Sequence, residues 1–147
     1  MTLRISGPPR RRGIPRHDKR LLRARTARLL REIDRASSEL SLSLAADDEI
    51  AKLNEQYRNR EGPTDVLAFS LLEGEGTEHR GALLGDVVVG IETAARQARG
   101  RRRPLDDELA QLVIHGTLHL IGYDHVRAAD ARVMRAEERR LWRRLRN

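Results

Sequence analysis

The sequence predicts an α+β fold: one domain spanning residues 1–147, with a small mixed four-stranded sheet packed against about five helices. Three observations carry this. A length of 147 residues suits one domain with a sizeable core, and no repeat or break in composition divides it. Short stretches with strand patterning are interleaved with longer ones that repeat at helical spacing. One of the latter, LDDELAQLVIHGTLHLI (105–121), is apolar nearly all round and so belongs at the centre of the molecule.

Taken in order, TLRISG (2–7) reads as a short strand, followed by a Pro/Arg-rich loop, PPRRRGIP (8–15). Leu22, Thr26, Leu29 and Ile33 recur at helical spacing with arginines on the other faces, predicting an amphipathic helix over 17–36. ELSLSLAA (39–46) alternates strictly, as a half-buried strand does. Asp47 and Asp48 open a helix, where carboxylates suit the positive end of the dipole. Ile50, Leu53 and Tyr57 share its core-facing side. The chain turns at Gly62-Pro63 and continues as a strand around VLAF (66–69), then as a polar, Gly-rich loop, EGEGTEHRG (73–81). ALLGDVVVGI (82–91) is continuously apolar enough for a strand buried on both faces. A helix from about Glu92 to Arg99 runs into GRRR, and Pro104, Asp106, Asp107 and Glu108 start the central helix. Gly122 turns the chain, and a charged helix from about Ala128 to Leu145 closes it, packed through Met134, Leu141 and Trp142.

Composition narrows the function. The absence of cysteine excludes disulfides and thiolate zinc sites and fits a reducing compartment. MTLRISGPPRRRG lacks the apolar run of a secretory signal, and no stretch approaches the roughly 20 apolar residues that span a bilayer. The expectation is a cytoplasmic protein with no membrane partner. Lys and Arg number 29 against 22 Asp and Glu, a net charge of +7. The segment from Pro8 to Arg35 alone holds 11 basic and 3 acidic residues. Such a block suits a polyanion, nucleic acid ahead of membrane, although an arginine-rich solvated helix face reads the same. Aromatics at 3% argue against a sheet that stacks bases.

HGTLHLIGYDH, His115 to His125, holds three of the five histidines. Histidines in a greasy segment either fill core positions or hold a metal. His115 and His119 lie one helical turn apart on one face, as do the first two ligands of the zincin HExxH helix. On a continued helix His125 would sit about 15 Å further along the axis, out of reach. Gly122 offers the remedy, since glycine leaves a helix at positive φ and turns the chain back. The pattern favours a metal site, one ion per chain, with zinc as the first choice. Three neutral imidazoles leave a fourth position for water, whose pKa zinc lowers towards neutrality. A zincin protease carries glutamate after its first histidine; here Gly116 stands there, which counts against peptide hydrolysis.

With LNEQYRNREGPTDVLAFS (53–70) and LGDVVVG (84–90), HGTLHLIGYDH resembles the motif set of the YbeY family, whose corresponding blocks run LN..YR.KD.PTDVLSFP and LGDI.I. The resemblance covers about Leu3 to Leu145. It implies a single-strand-specific, metal-dependent endoribonuclease acting in 16S rRNA 3′-end maturation and ribosome quality control. The partners implied are rRNA and the small ribosomal subunit. His115, His119 and His125 match the family's metal ligands, and Arg58 matches the functional arginine of its YR pair. A guanidinium near the metal would stabilise charge on the phosphodiester oxygens. Its plainer role is a solvated cation at a helix C-terminus. Departures fall around Arg58: Ala68 for the usual serine, Ser70 for proline, and Asn59 and Glu61 in the Gly/Lys and Asp region. The alternative classes are a zincin-like metalloprotease and a non-catalytic rRNA-binding assembly factor.

Other candidates divide between chemistry and structure. Asp124 either accepts from a ligand imidazole or caps the turn after Gly122. Asp65 is a base near the site or, more simply, a turn cap after Pro63. Asp86 is odd for a buried strand unless it lies at an edge or beside the site. Arg10, Arg11, Arg12, Arg101, Arg102 and Arg103 are the expected RNA contacts. Tyr57 is expected in the core, while His17 and His79 sit in loops and need no function.

Overall fold

In the computed structural model, residues 2–70 and 83–146 are described. The elements are β1 (Thr2–Ser6), α1 (Lys19–Glu32), β2 (Glu39–Ala45), α2 (Asp47–Arg58), β3 (Val66–Ser70), β4 (Leu83–Gly90), α3 (Ile91–Arg101), α4 (Leu105–Leu120) and α5 (Ala128–Leu145). The mixed four-stranded sheet and five helices are those expected. The loop expected over 73–81, with His79, lies outside the described residues.

The sheet order is β1-β2-β4-β3. β1 and β4 run parallel to β2, and β3 pairs antiparallel with β4 along the edge. Parallel neighbours require a crossover, which α1 provides between β1 and β2. In β2, Leu40, Leu42 and Leu44 are buried at 0–3% exposure. They point to one face, while Ser41 and Ser43 point to the other. β4 is an interior strand and, as its apolar run predicts, Val87, Val88 and Val89 are all buried.

The larger core lies on the Leu40–Leu42–Leu44 face, against α1, α3, α4 and α5; Ile50, Leu67, Val88 and Ala45 form a smaller one beneath α2. α4 runs through the larger core, with Leu109, Ile114 and Leu118 at 0–1% exposure. Each such side chain contributes about 1.5–3 kcal/mol by leaving water. Gly116 brings α4 close to the sheet: a Cβ there would meet Val87 Cγ1 at 2.9 Å and Val66 Cγ2 at 3.2 Å. Helix and strands touch at this point because one residue has no side chain.

One expectation is corrected. Tyr57 is 55% exposed, not core. It sits near the end of α2, where its ring meets the edge of Phe69 at a centroid distance of 5.4 Å. Helical spacing placed it on the core side, but the sheet it faces ends at the edge strand β3. Glu108 is more than an N-terminal charge: it is wholly buried, and Arg101 and Arg103 both bond its carboxylate at 2.8–3.1 Å. Burial without partners would be prohibitive for a carboxylate, so two guanidiniums reach it from the surface, exposed Arg101 at the end of α3 and half-buried Arg103 just after it.

Candidate metal centre

α4 presents His115 and His119 one turn apart, with Nε2 of each ring 3.2 Å from the other. The helix then ends in a Schellman turn. Tyr123 N–H donates to Leu118 O at 3.0 Å and Gly122 N–H to His119 O at 3.1 Å, with Gly122 at φ +104°. This reversal carries His125 back over the pair, and its Nδ1 lies 3.0 Å from His119 Nε2. One ring nitrogen from each histidine falls within 4.8 Å of the others. Among the described residues, no fourth His, Asp or Glu completes the set. Ligands on a tetrahedral zinc, about 2.0–2.1 Å from the ion, are spaced on this scale. Donor chemistry and spacing therefore fit a metal ion with one position open.

His119 has its pKa held below the ordinary histidine value, first by burial and then by the fields of His115 and His125. A depressed pKa keeps this ring neutral, the form that binds metal. Asp124 does not reach an imidazole. Its Oδ1 accepts from His125 N–H at 2.6 Å and Val126 N–H at 3.1 Å, and those bonds hold its carboxyl below the usual range. Of its two expected roles, the turn cap is the one seen. The carboxylate that does meet one of the three rings is Glu138, whose Oε2 lies 3.4 Å from His115 Nδ1. It is 23 residues further along, on α5, and no local motif joins it to the histidines.

The histidines form one wall of a cleft of about 450 Å³. Val66, Ala68 and Ser70 of β3 face them, with Asn54, Arg58, Arg60 and Thr64 alongside. Arg58, in the last turn of α2, donates to Ala68 O at 2.7 Å and lies 5.0 Å over the Phe69 ring. The contact uses a main-chain oxygen, so alanine in place of serine at 68 leaves it intact. Asn59 caps α2 in the left-handed conformation, φ 55°, which asparagine tolerates. Buried Asn54 then ties the following loop down, donating to Gly62 O at 3.0 Å. Nothing in the spacing of the sequence marks Arg60; the fold of this loop brings it to the lining of the cleft.

Asp65 lies elsewhere, accepting from the Gln97 amide on α3 at 3.3 Å. Asp86 occupies the sheet face opposite Val87 and Gly116, away from the histidines. Among the expected RNA contacts, Arg101 and Arg103 are held by Glu108, and Arg11 by Asp48 at 2.6 Å. Arg10, Arg12 and Arg102 are exposed.

A sheet backing one helix, with a turn that folds a third imidazole onto the helical pair beside an arginine-rimmed cleft, defines a candidate three-histidine metal centre. The sequence model of the family described as "Endoribonuclease YbeY" matches residues 14–146. A relative called endoribonuclease YbeY from Anaeromyxobacter sp. (strain Fw109-5) is 46% identical over 142 residues, covering 96% of this chain and 70% of its own length. The one from Syntrophotalea carbinolica is 44% identical over 121 residues, 81% of either chain. That of Anaeromyxobacter dehalogenans is 48% identical, and the match spans 62% of its length. The solution structure of TM1509 from Thermotoga maritima superposes with a TM-score of 0.66 at 26% identity, covering 98% of this chain and 89% of that one. This chain belongs to the YbeY family. No helix among the described residues is long and apolar enough to cross a membrane.

Proposed function

We propose that the protein is a metal-dependent endoribonuclease that cleaves single-stranded RNA, acting in 16S rRNA 3′-end maturation and ribosome quality control on the small subunit. The observation that carries this is the convergence of His115, His119 and His125 on one wall of a cleft whose rim holds Arg58 and Arg60. The three imidazoles would hold one zinc ion, which supplies Lewis acidity for phosphodiester cleavage. Arg58 is held by Ala68 O, by Tyr57 O at 3.5 Å and by the Phe69 ring, so its guanidinium sits ready at the cleft to meet a phosphate with little reorganisation. The lowered pKa of His119 favours the neutral ring that binds an ion.

Peptide hydrolysis is disfavoured by more than the missing glutamate. A side chain at 116 would have to enter the contact with Val87 and Val66, so that position has no room for a base. The test is metal content of untagged protein together with cleavage of a single-stranded rRNA fragment by wild type, His119→Ala and Arg58→Ala. About one zinc per chain and folded variants with greatly reduced cleavage are expected. Equal cleavage by all three would mean that another nuclease is present. Loss of folding in metal-free protein would point instead to a structural site in an assembly factor.

A further inference from the structure

We infer that Glu138 is a positioning residue for the metal centre: its carboxylate keeps His115 protonated on Nδ1, leaving Nε2 free for the ion. This rests on the metal reading of the three histidines. The two nitrogens of the His115 ring face different partners. Nε2 looks towards His119 at 3.2 Å, into the cluster, while Nδ1 looks towards Glu138 Oε2 at 3.4 Å, away from it. A neutral imidazole carries one proton, and a carboxylate on one nitrogen draws the proton there. The other nitrogen then offers its lone pair inward, and the ring cannot turn without losing the carboxylate.

The placement of Glu138 on α5 is independent support. Met134, Leu141 and Leu145 are the buried residues of that helix, at 0–5% exposure. Position 138 falls on the same stripe, one turn after Met134 and one before Leu141. Glu138 is half-buried there, 29% exposed, and turns its carboxylate onto the His115 ring. Arginines surround it in sequence, yet among the described residues the group its carboxylate meets is the His115 ring, whereas neighbouring Glu137 is taken by Arg140.

The test uses the full chain, with zinc affinity measured by competition against a chromophoric chelator and the His115 tautomer by nitrogen-15 NMR of metal-free protein. Glu138→Ala should weaken zinc binding about 10–100-fold and shift His115 towards the Nε2-protonated form. Glu138→Gln retains an acceptor of the same shape and should lose less; it also serves if the alanine variant does not fold. Zinc affinity of Glu138→Ala within about twofold of wild type, with an unchanged tautomer, would overturn the role of Glu138 alone. A wild-type protein that binds no zinc would overturn the metal reading along with it.

Discussion

At the scale of single residues, the site depends on two positions that act in opposite ways, one by presence and one by absence. Arg58 is exposed and spends one donor on a carbonyl of the neighbouring strand, so its removal should leave stability nearly unchanged. Arg58→Ala is expected to reduce RNA turnover about 10²–10³-fold, the usual loss for one pre-oriented donor, with a melting temperature close to wild type. Gly116 contributes by having no side chain. Alanine there gains up to about 1 kcal/mol of helix propensity, but overpacking against a stiff, buried valine costs about 1–3 kcal/mol. Gly116→Ala should therefore be destabilising overall in denaturant melts, and a glutamate should prevent the native packing altogether. The histidine triad was legible in the sequence because its three members and their hinge are local. Glu138 was not, since nothing in the spacing of a distant helix shows which imidazole it meets. Tyr57 was misjudged because periodicity gives a face but not where the sheet beneath that face ends.

Among elements, the α4 terminus and the α3–α4 connection are each governed by a local interaction. Gly122 at φ +104° has open space around it, so alanine would suffer from backbone strain rather than collision. Gly122→Ala should cost about 1–2 kcal/mol and weaken metal binding disproportionately, because the strain relaxes by moving His125 off the pair. Calorimetry with and without zinc separates the two effects. In the α3–α4 connection, the three consecutive arginines look alike in sequence but differ in the fold. Replacing both Arg101 and Arg103 by alanine leaves Glu108 buried without a counter-ion, a loss of about 3–5 kcal/mol, while Arg102→Ala should fall within about 0.5 kcal/mol of wild type. Strands and helices themselves were readable from period and capping, α5 to the residue. The ion triad was not, because a carboxylate in a first helical turn reads as solvent-facing until its burial is known.

For the molecule as a whole, the proposed metal site and the charge distribution each predict behaviour that no single contact accounts for. If zinc binds the native protein alone, adding it at about 100 times its dissociation constant should contribute about 2.7 kcal/mol, raising the melting temperature by roughly 5–10 °C, and a chelator should reverse the rise. RNA binding tests the distribution of the +7 charge. Guanidiniums already paired with a carboxylate of the protein have less to gain on meeting phosphate, whereas unpaired ones displace counter-ions from the RNA. Arg11, Arg101 and Arg103 belong to the first group, with carboxylates at 2.6–3.0 Å. Arg10, Arg12 and Arg102 are exposed and make no side-chain bond among the described residues. Affinity for single-stranded RNA should fall as salt rises, and each of Arg10→Ala, Arg12→Ala and Arg102→Ala that removes a phosphate contact should flatten the logarithmic slope by about 0.7. Arg11→Ala should leave that slope unchanged even though it is flanked on both sides by residues that alter it. Equal flattening by all four would mean that position in the basic run, and not freedom from internal pairing, sets which arginines meet the RNA.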